Sequence, residues 1–206
     1  MIGFYNYTVI LTYLSLASSA VGMFLAITGN PMGAIWALLF SGLCDMFDGR
    51  VASTKKDRTD NERSFGIQID SLCDVIGFGV LPAIIAFCSG FDEVYFIPVL
   101  VFFVLAAIIR LAYFNVTEEE RQRTTNEKRR YYLGLPVTSS AIIVPFFFCL
   151  MRIFGGVFNW VFIIAFTAVA VLYITPVKIA KANSLMSVLL IILGIAEFVC
   201  LLIASF

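Results

Sequence analysis

Residues 65–87 read FGIQIDSLCDVIGFGVLPAIIAF, and this stretch decides the fold. It is long and apolar enough to cross a membrane as a helix, which takes about 17–25 residues. Two aspartates, Asp70 and Asp74, nevertheless sit near its start. The preceding run, GAIWALLFSGLCDMFDG at 33–49, ends on two more, Asp45 and Asp48. An ionised carboxylate inside a transmembrane helix costs about 2.5–3.5 kcal/mol on insertion scales. Four of them between positions 45 and 74 are hard to explain as packing.

The rest of the chain has the same apolar character. Its 206 residues are 61% hydrophobic and 14% charged, with a mean hydropathy of +0.96. Soluble domains average about 45–50% apolar and 25% charged residues, so a polytopic membrane protein is expected. Hydropathy allows spans near 8–28, 32–50, 65–89, 94–115, 135–153, 157–175 and 184–205. The fold class is therefore all-α, a membrane bundle of six to seven helices forming one domain over 1–206. The first apolar stretch has no basic segment before it and no small-residue cleavage site, so it is read as a retained helix. Asn30-Pro31 and Ser89-Gly90 read as tight turns.

Net charge is zero but unevenly spread. Arg50, Lys55, Lys56, Arg58 and Arg63 follow the second span. Arg121, Arg123, Lys128, Arg129 and Arg130 follow the fourth, and Lys178 and Lys181 the sixth. The positive-inside rule makes these loops cytoplasmic, which puts the aspartates at cytoplasmic helix ends, most simply at the cell membrane. Acids in the first two loops (Asp57, Asp60, Glu62; Glu118, Glu119, Glu120, Glu127) make most of these charges an ordinary solvated surface. No nucleic-acid partner is expected. The long apolar faces face the lipid bilayer and leave room for a homodimer.

Cys44, Cys73, Cys88, Cys149 and Cys200 all fall in apolar spans without metal-type spacing, as buried reduced thiols do. Gly22, Gly33, Gly42, Gly66, Gly77 and Gly79 recur in the first three spans and allow close helix approach. Thr12, Ser15 and Ser19 share one face of the first span, where they either bond a neighbouring helix or line a polar cavity.

Asp45 and Asp48 are i, i+3 on one helix, with Gly49 and Ala52 continuing that side. Asp70 and Asp74 are i, i+4 on the next, with Gly66 one turn before. A loop at 53–64 returns the second helix antiparallel and brings the two pairs to one depth. Four carboxylates in a chain without histidine suit one or two hard cations, Mg²⁺ or Mn²⁺. The small residues beside them leave room for a nucleotide or diphosphate.

The blocks DMFDGRVAS (45–53) and GIQIDSLCD (66–74) resemble the signature of the CDP-alcohol phosphatidyltransferase family, D-x2-D-G-x2-A-R, a spacer, then G-x3-D-x3-D. Asp45, Asp48, Gly49, Ala52, Gly66, Asp70 and Asp74 match at the required spacing. The resemblance implies transfer of a phosphatidyl group from CDP-diacylglycerol to an alcohol, with release of CMP. It implies that Asp45, Asp48 and Asp70 chelate metal, and that Asp74 is the general base in contact with a second metal. Gly49, Ala52, Ser53 and Gly66 would then border the nucleotide diphosphate. Ser53 departs from the signature, which has arginine there. If that arginine serves the phosphate, Ser53, Lys55, Lys56 or Arg50 must take over part of its work.

The D-S-L-x-D form of the second block, IIRLAYFNV at 108–116 and LGLPVT at 133–138 are similar to the serine-accepting branch, which makes phosphatidylserine. Inositol phosphate and glycerol phosphate are the alternative acceptors. Arg110, a charge inside an apolar span, and Asn115 just beyond it are candidates for the serine carboxylate or the lipid phosphate. Snorkelling to the interface is the plainer reading of Arg110. A cation transporter would place its acids near the bilayer midplane and often shows a pseudo-repeat. Neither feature is present in the sequence, and a non-catalytic scaffold leaves the signature spacing unexplained.

Overall fold

The computed structural model describes residues 3–124 and 131–180. The expected seventh span (184–205) lies outside the described residues, as do Glu127, Lys128, Arg129, Arg130, Lys181 and Cys200. The chain forms two compact units, one running to Leu100 and the other starting at Val101.

In the first unit, Asn6 accepts a hydrogen bond from the backbone N–H of Thr8 at 3.0 Å and caps a short 3-10 turn, Tyr7–Val9. This leads into α1 (Ile10–Ile27). The chain reverses at Gly29, whose φ of +86° favours glycine. Asn30 then caps α2 (Pro31–Ala52) by accepting from the N–H of Gly33 at 2.9 Å, with Pro31 in the first turn, where no donor is needed.

The expected third span begins five residues earlier than hydropathy indicates. Thr59 and Glu62 form a capping box that starts α3 (Asp60–Asp74) in polar sequence. After Asp74 the backbone passes through a π-helical segment, Val75–Val80, and resumes as α4 (Leu81–Cys88). The result is one continuous helical rod, Asp60–Cys88.

Helix α1 packs against α2, α3, α4 and the π segment. The polar stripe on α1 makes this contact. Ser15 and Ser19 share hydrogen bonds with the Ser41 hydroxyl at 2.7 and 2.9 Å. Ser18 donates to the carbonyl of Ala37 at 2.8 Å. Helix–helix bonding, not a cavity, therefore accounts for Ser15 and Ser19. Two glycines make the approach possible. A Cβ on Gly22 would lie 2.9 Å from the Ala37 Cβ, and one on Gly77 would lie 2.8 Å from the Ser19 hydroxyl. Gly33 has a different use, since its neighbour is the capping Asn30 side chain.

Helix α5 (Ile97–Thr124) starts in the first unit and runs through the boundary. It extends past the expected end at 115, so Glu118 and Arg121 form an i, i+3 ion pair on a helix, not in a loop. In the second unit, β1 (Tyr131–Leu133) pairs antiparallel with β2 (Lys178–Ala180), Tyr131 opposite Ala180. Helices α6 (Ser140–Phe154) and α7 (Val157–Ile174) are joined through Gly155 and Gly156, both with positive φ. Phe103 stacks on Phe166 with centroids 4.0 Å apart, and the Tyr173 hydroxyl donates to the carbonyl of Val137 at 3.0 Å.

Apart from the three-residue ribbon, the described elements are helical, in line with the all-α expectation. Five helical segments among the described residues are long and apolar enough to cross a membrane. Helix α2 has 22 residues, with Asp45, Asp48 and Arg50 in its last turns. The chain is an integral membrane protein. Cys44, Cys73 and Cys149 are buried free thiols, and Cys88 is a half-buried one.

Candidate functional site

The four aspartates converge. Asp45 and Asp48 lie near the end of α2, and Asp70 and Asp74 occupy the last two turns of α3. Their carboxyl groups meet in pairs across the helices, Asp45 with Asp74 and Asp48 with Asp70. Asp45, Asp70 and Asp74 each offer an oxygen within 4.8 Å of the other two. Asp48 stands beside this group rather than in it. Asp74 is the deepest, 8% exposed, and the change to π geometry begins at the next residue. Gly77 sits in that segment against Ser19 and Ser41, which ties the end of α3 to the α1–α2 contact.

Three oxygens at this separation fit one hard cation. Mg²⁺ binds oxygen at about 2.0–2.1 Å, so opposite ligands in its octahedron lie about 4 Å apart. Small side-chain rotations close the remaining gap. The donor set is all oxygen, which suits Mg²⁺ or Mn²⁺ better than softer ions.

The first helix contributes a residue that spacing did not assign to the site. The buried Thr12 donates its hydroxyl to Asp48 Oδ2 at 3.3 Å. Its membership in the polar stripe was the available signal, but a stripe does not reveal which neighbour it faces.

Around the carboxylates, the small residues differ. A Cβ on Gly49 would meet nothing within 4 Å, so that side of α2 is open. Ala52 is half-buried. Ser53 is exposed and donates its hydroxyl to the Arg50 carbonyl at 2.7 Å, closing the end of α2. Gly66 is covered by Arg58: a Cβ there would lie 2.6 Å from Arg58 Nη2.

The cations at the end of α2 and in the loop to α3 are also sorted. Arg50 lies over the Phe47 ring at 5.6 Å. Lys55 Nζ pairs with Glu62 Oε1 at 2.7 Å, and this hydrogen bond holds the ammonium above its ordinary pKa. Glu62 Oε1 also accepts from Asn6 Nδ2 at 3.0 Å, and Tyr7 and Thr54 share a bond at 3.2 Å. The start of the chain thus fastens the loop. Lys56 is exposed.

Arg110 and Asn115 belong to the second unit. Arg110 is halfway along α5, not near its end as the shorter expected span implied, and it is only 5% exposed. Its Nε donates to the Leu135 carbonyl at 3.1 Å and its guanidinium lies 5.4 Å from the Phe114 ring centre. The LGLPVT segment is thereby held to α5. Gly134 is required there, because it has φ +77° and a Cβ would approach the Tyr173 carbonyl to 2.8 Å.

The model of the CDP-alcohol phosphatidyltransferase family matches residues 5–174. A CDP-diacylglycerol–serine O-phosphatidyltransferase of Saccharomyces cerevisiae is 39% identical over 132 residues, covering 61% of this chain and 46% of the yeast protein. The enzyme of that name from Helicobacter pylori is 32% identical over 142 residues, 68% of this chain and 56% of its own length. An archaetidylserine synthase of Methanothermobacter thermautotrophicus is 36% identical over 141 residues, with the same two shares. The chain spans about half the length of these relatives.

Proposed function

The chain belongs to the CDP-alcohol phosphatidyltransferase family, and from that premise we propose that it transfers a phosphatidyl group from CDP-diacylglycerol to L-serine, giving phosphatidylserine and CMP. One observation carries the reading: Asp45, Asp70 and Asp74, all at signature positions, bring oxygens within 4.8 Å of one another across two helices. Serine as acceptor is supported by the D-S-L-x-D block and by the names of the three relatives.

Asp45, Asp48 and Asp70 would hold a divalent cation, Mg²⁺ or Mn²⁺, and Asp74 would contact a second. An ion held there would neutralise diphosphate charge and the charge that grows on departing CMP. Asp74 accepts the proton of the serine hydroxyl, a weak nucleophile that needs a base within hydrogen-bond reach. Its burial keeps bulk water from competing for the phosphatidyl group. Thr12 orients Asp48 through its hydroxyl. The open side at Gly49, with Ala52, Ser53 and Gly66, borders the nucleotide. Arg110 and Asn115 are assigned to the serine carboxylate or the lipid phosphate.

The Lys and Arg distribution supports a cytoplasmic active site, which we place at the cell membrane. The acyl chains then stay in lipid while the headgroup reacts at helix ends. The test is CMP release by the purified protein from CDP-diacylglycerol, with serine, inositol phosphate and glycerol phosphate supplied in turn. Serine alone should support turnover. Turnover with one of the others would move the protein to another branch of the family, and no CMP with any of them would remove the transfer reading.

A further inference from the structure

We infer that Arg58, seated over Gly66, grips the diphosphate of the nucleotide substrate. The inference rests on the proposed use of CDP-diacylglycerol and adds a substrate-binding residue that lies outside both signature blocks.

Gly66, Asp70 and Asp74 follow one another at i, i+4 and i+8, so they line one side of α3. The Arg58 guanidinium occupies the space a side chain at 66 would fill, with Nη2 at 2.6 Å and Cζ at 3.8 Å from that Cβ position. It therefore lies about one helical turn, roughly 6 Å along the axis, from Asp70. One phosphoryl group held at the carboxylate end leaves the next within reach of this cation.

The guanidinium is fixed in place yet has bonding capacity left. Nη2 donates to the Glu62 carbonyl at 3.2 Å. Glu62 is itself held by Asn6, Lys55 and the capping Thr59. Arg58 Nε is buried and makes no hydrogen bond among the described residues, and no carboxylate there pairs with Arg58. A buried donor without an acceptor is costly unless a ligand supplies one. A planar fork of N–H donors suits phosphate oxygens. The other loop cations are engaged with Phe47 or Glu62, or exposed, and Ser53 bonds its own helix.

The glycine then has a mechanical reason. A methyl at 66 would evict the guanidinium, which is the far end of a flexible side chain, so the fold should tolerate Gly66→Ala while the grip is lost.

The experiment measures CDP affinity with Mg²⁺, and the KM values for CDP-diacylglycerol and serine, in Arg58→Ala, Arg58→Gln, Gly66→Ala and the Arg58→Ala/Gly66→Ala double variant. Each single change should weaken CDP and CDP-diacylglycerol about 10- to 100-fold, the usual size for a charge-assisted bond. Serine KM should stay unchanged. The double variant should be no weaker than Arg58→Ala alone, because both changes remove one contact. In the wild type, CDP with Mg²⁺ should slow phenylglyoxal modification of Arg58, a readout independent of how variants fold. Unchanged affinity in the variants, additive losses, or equal modification rates would each overturn the inference. If the wild type binds and turns over CDP-diacylglycerol in those cases, the transfer reading stands and Arg58 alone is misassigned. If the wild type binds neither CDP nor CDP-diacylglycerol, both fall.

Discussion

Asp74 and Asp45 touch across the site but carry different assignments, and substitution separates them. Asp74→Asn removes the proton acceptor and keeps the volume. It should retain CDP-diacylglycerol binding and lose about 10²–10⁴ in single-turnover rate. Asp45→Asn removes a cation ligand, so metal and nucleotide binding should weaken together. Affinity and single-turnover rate measured on both variants check this; identical behaviour would leave the base unassigned. Arg110→Ala should raise the KM for serine with that for CDP-diacylglycerol little changed. It should also lower stability by about 1–3 kcal/mol, because the Leu135 carbonyl loses its donor. Equal effects on the two substrates would mark Arg110 as a purely structural cation.

Among the elements, the rod from Asp60 to Cys88 does most to position the site. Its start depends on the capping box. Thr59→Ala should cost about 0.5–2 kcal/mol of stability, seen as a lower Tm, with CMP release per folded molecule nearly unchanged. Its middle depends on the π segment. A leucine at Gly77 would drive its Cβ into Ser19 and Ser41, with Asp74 only three residues away. Gly77→Leu should therefore lose both stability and turnover. A fully active Gly77→Leu protein would show that the π segment does not position Asp74.

For the whole molecule, the oxygen-only site predicts that excess EDTA abolishes CMP release and that Mg²⁺ or Mn²⁺ restores it, since zinc sites more often recruit nitrogen or sulfur ligands. Full activity in EDTA would remove the metal assignment. The charge distribution predicts topology independently. A cysteine at the exposed Lys56 position should react with a membrane-impermeant thiol reagent in inside-out vesicles and not in intact cells. The opposite pattern would turn the site to the outer face.

What the sequence determined by itself was local. Apolar runs set the described spans, because a helix in lipid satisfies its backbone internally and needs only length and hydropathy. The i, i+3 and i, i+4 spacings put each aspartate pair on one helix side, since 3.6-residue periodicity follows from the backbone alone. Two boundaries were legible less directly. The T-x-x-E box at Thr59 was present but masked by polarity, and the extension of α5 through Glu118 and Arg121 looked like loop because a solvated helix end carries no apolar period. The tertiary structure alone decided which carboxylates meet, that Thr12 reaches Asp48 and that Ser15 and Ser19 bond Ser41. It also decided that Arg58, not Ser53 or a lysine, covers Gly66. These contacts join positions 22 to 36 residues apart, or depend on the path of a loop with no repeating geometry. No spacing rule reaches across such distances, because the direction of a side chain there is set by the packing of three helices together.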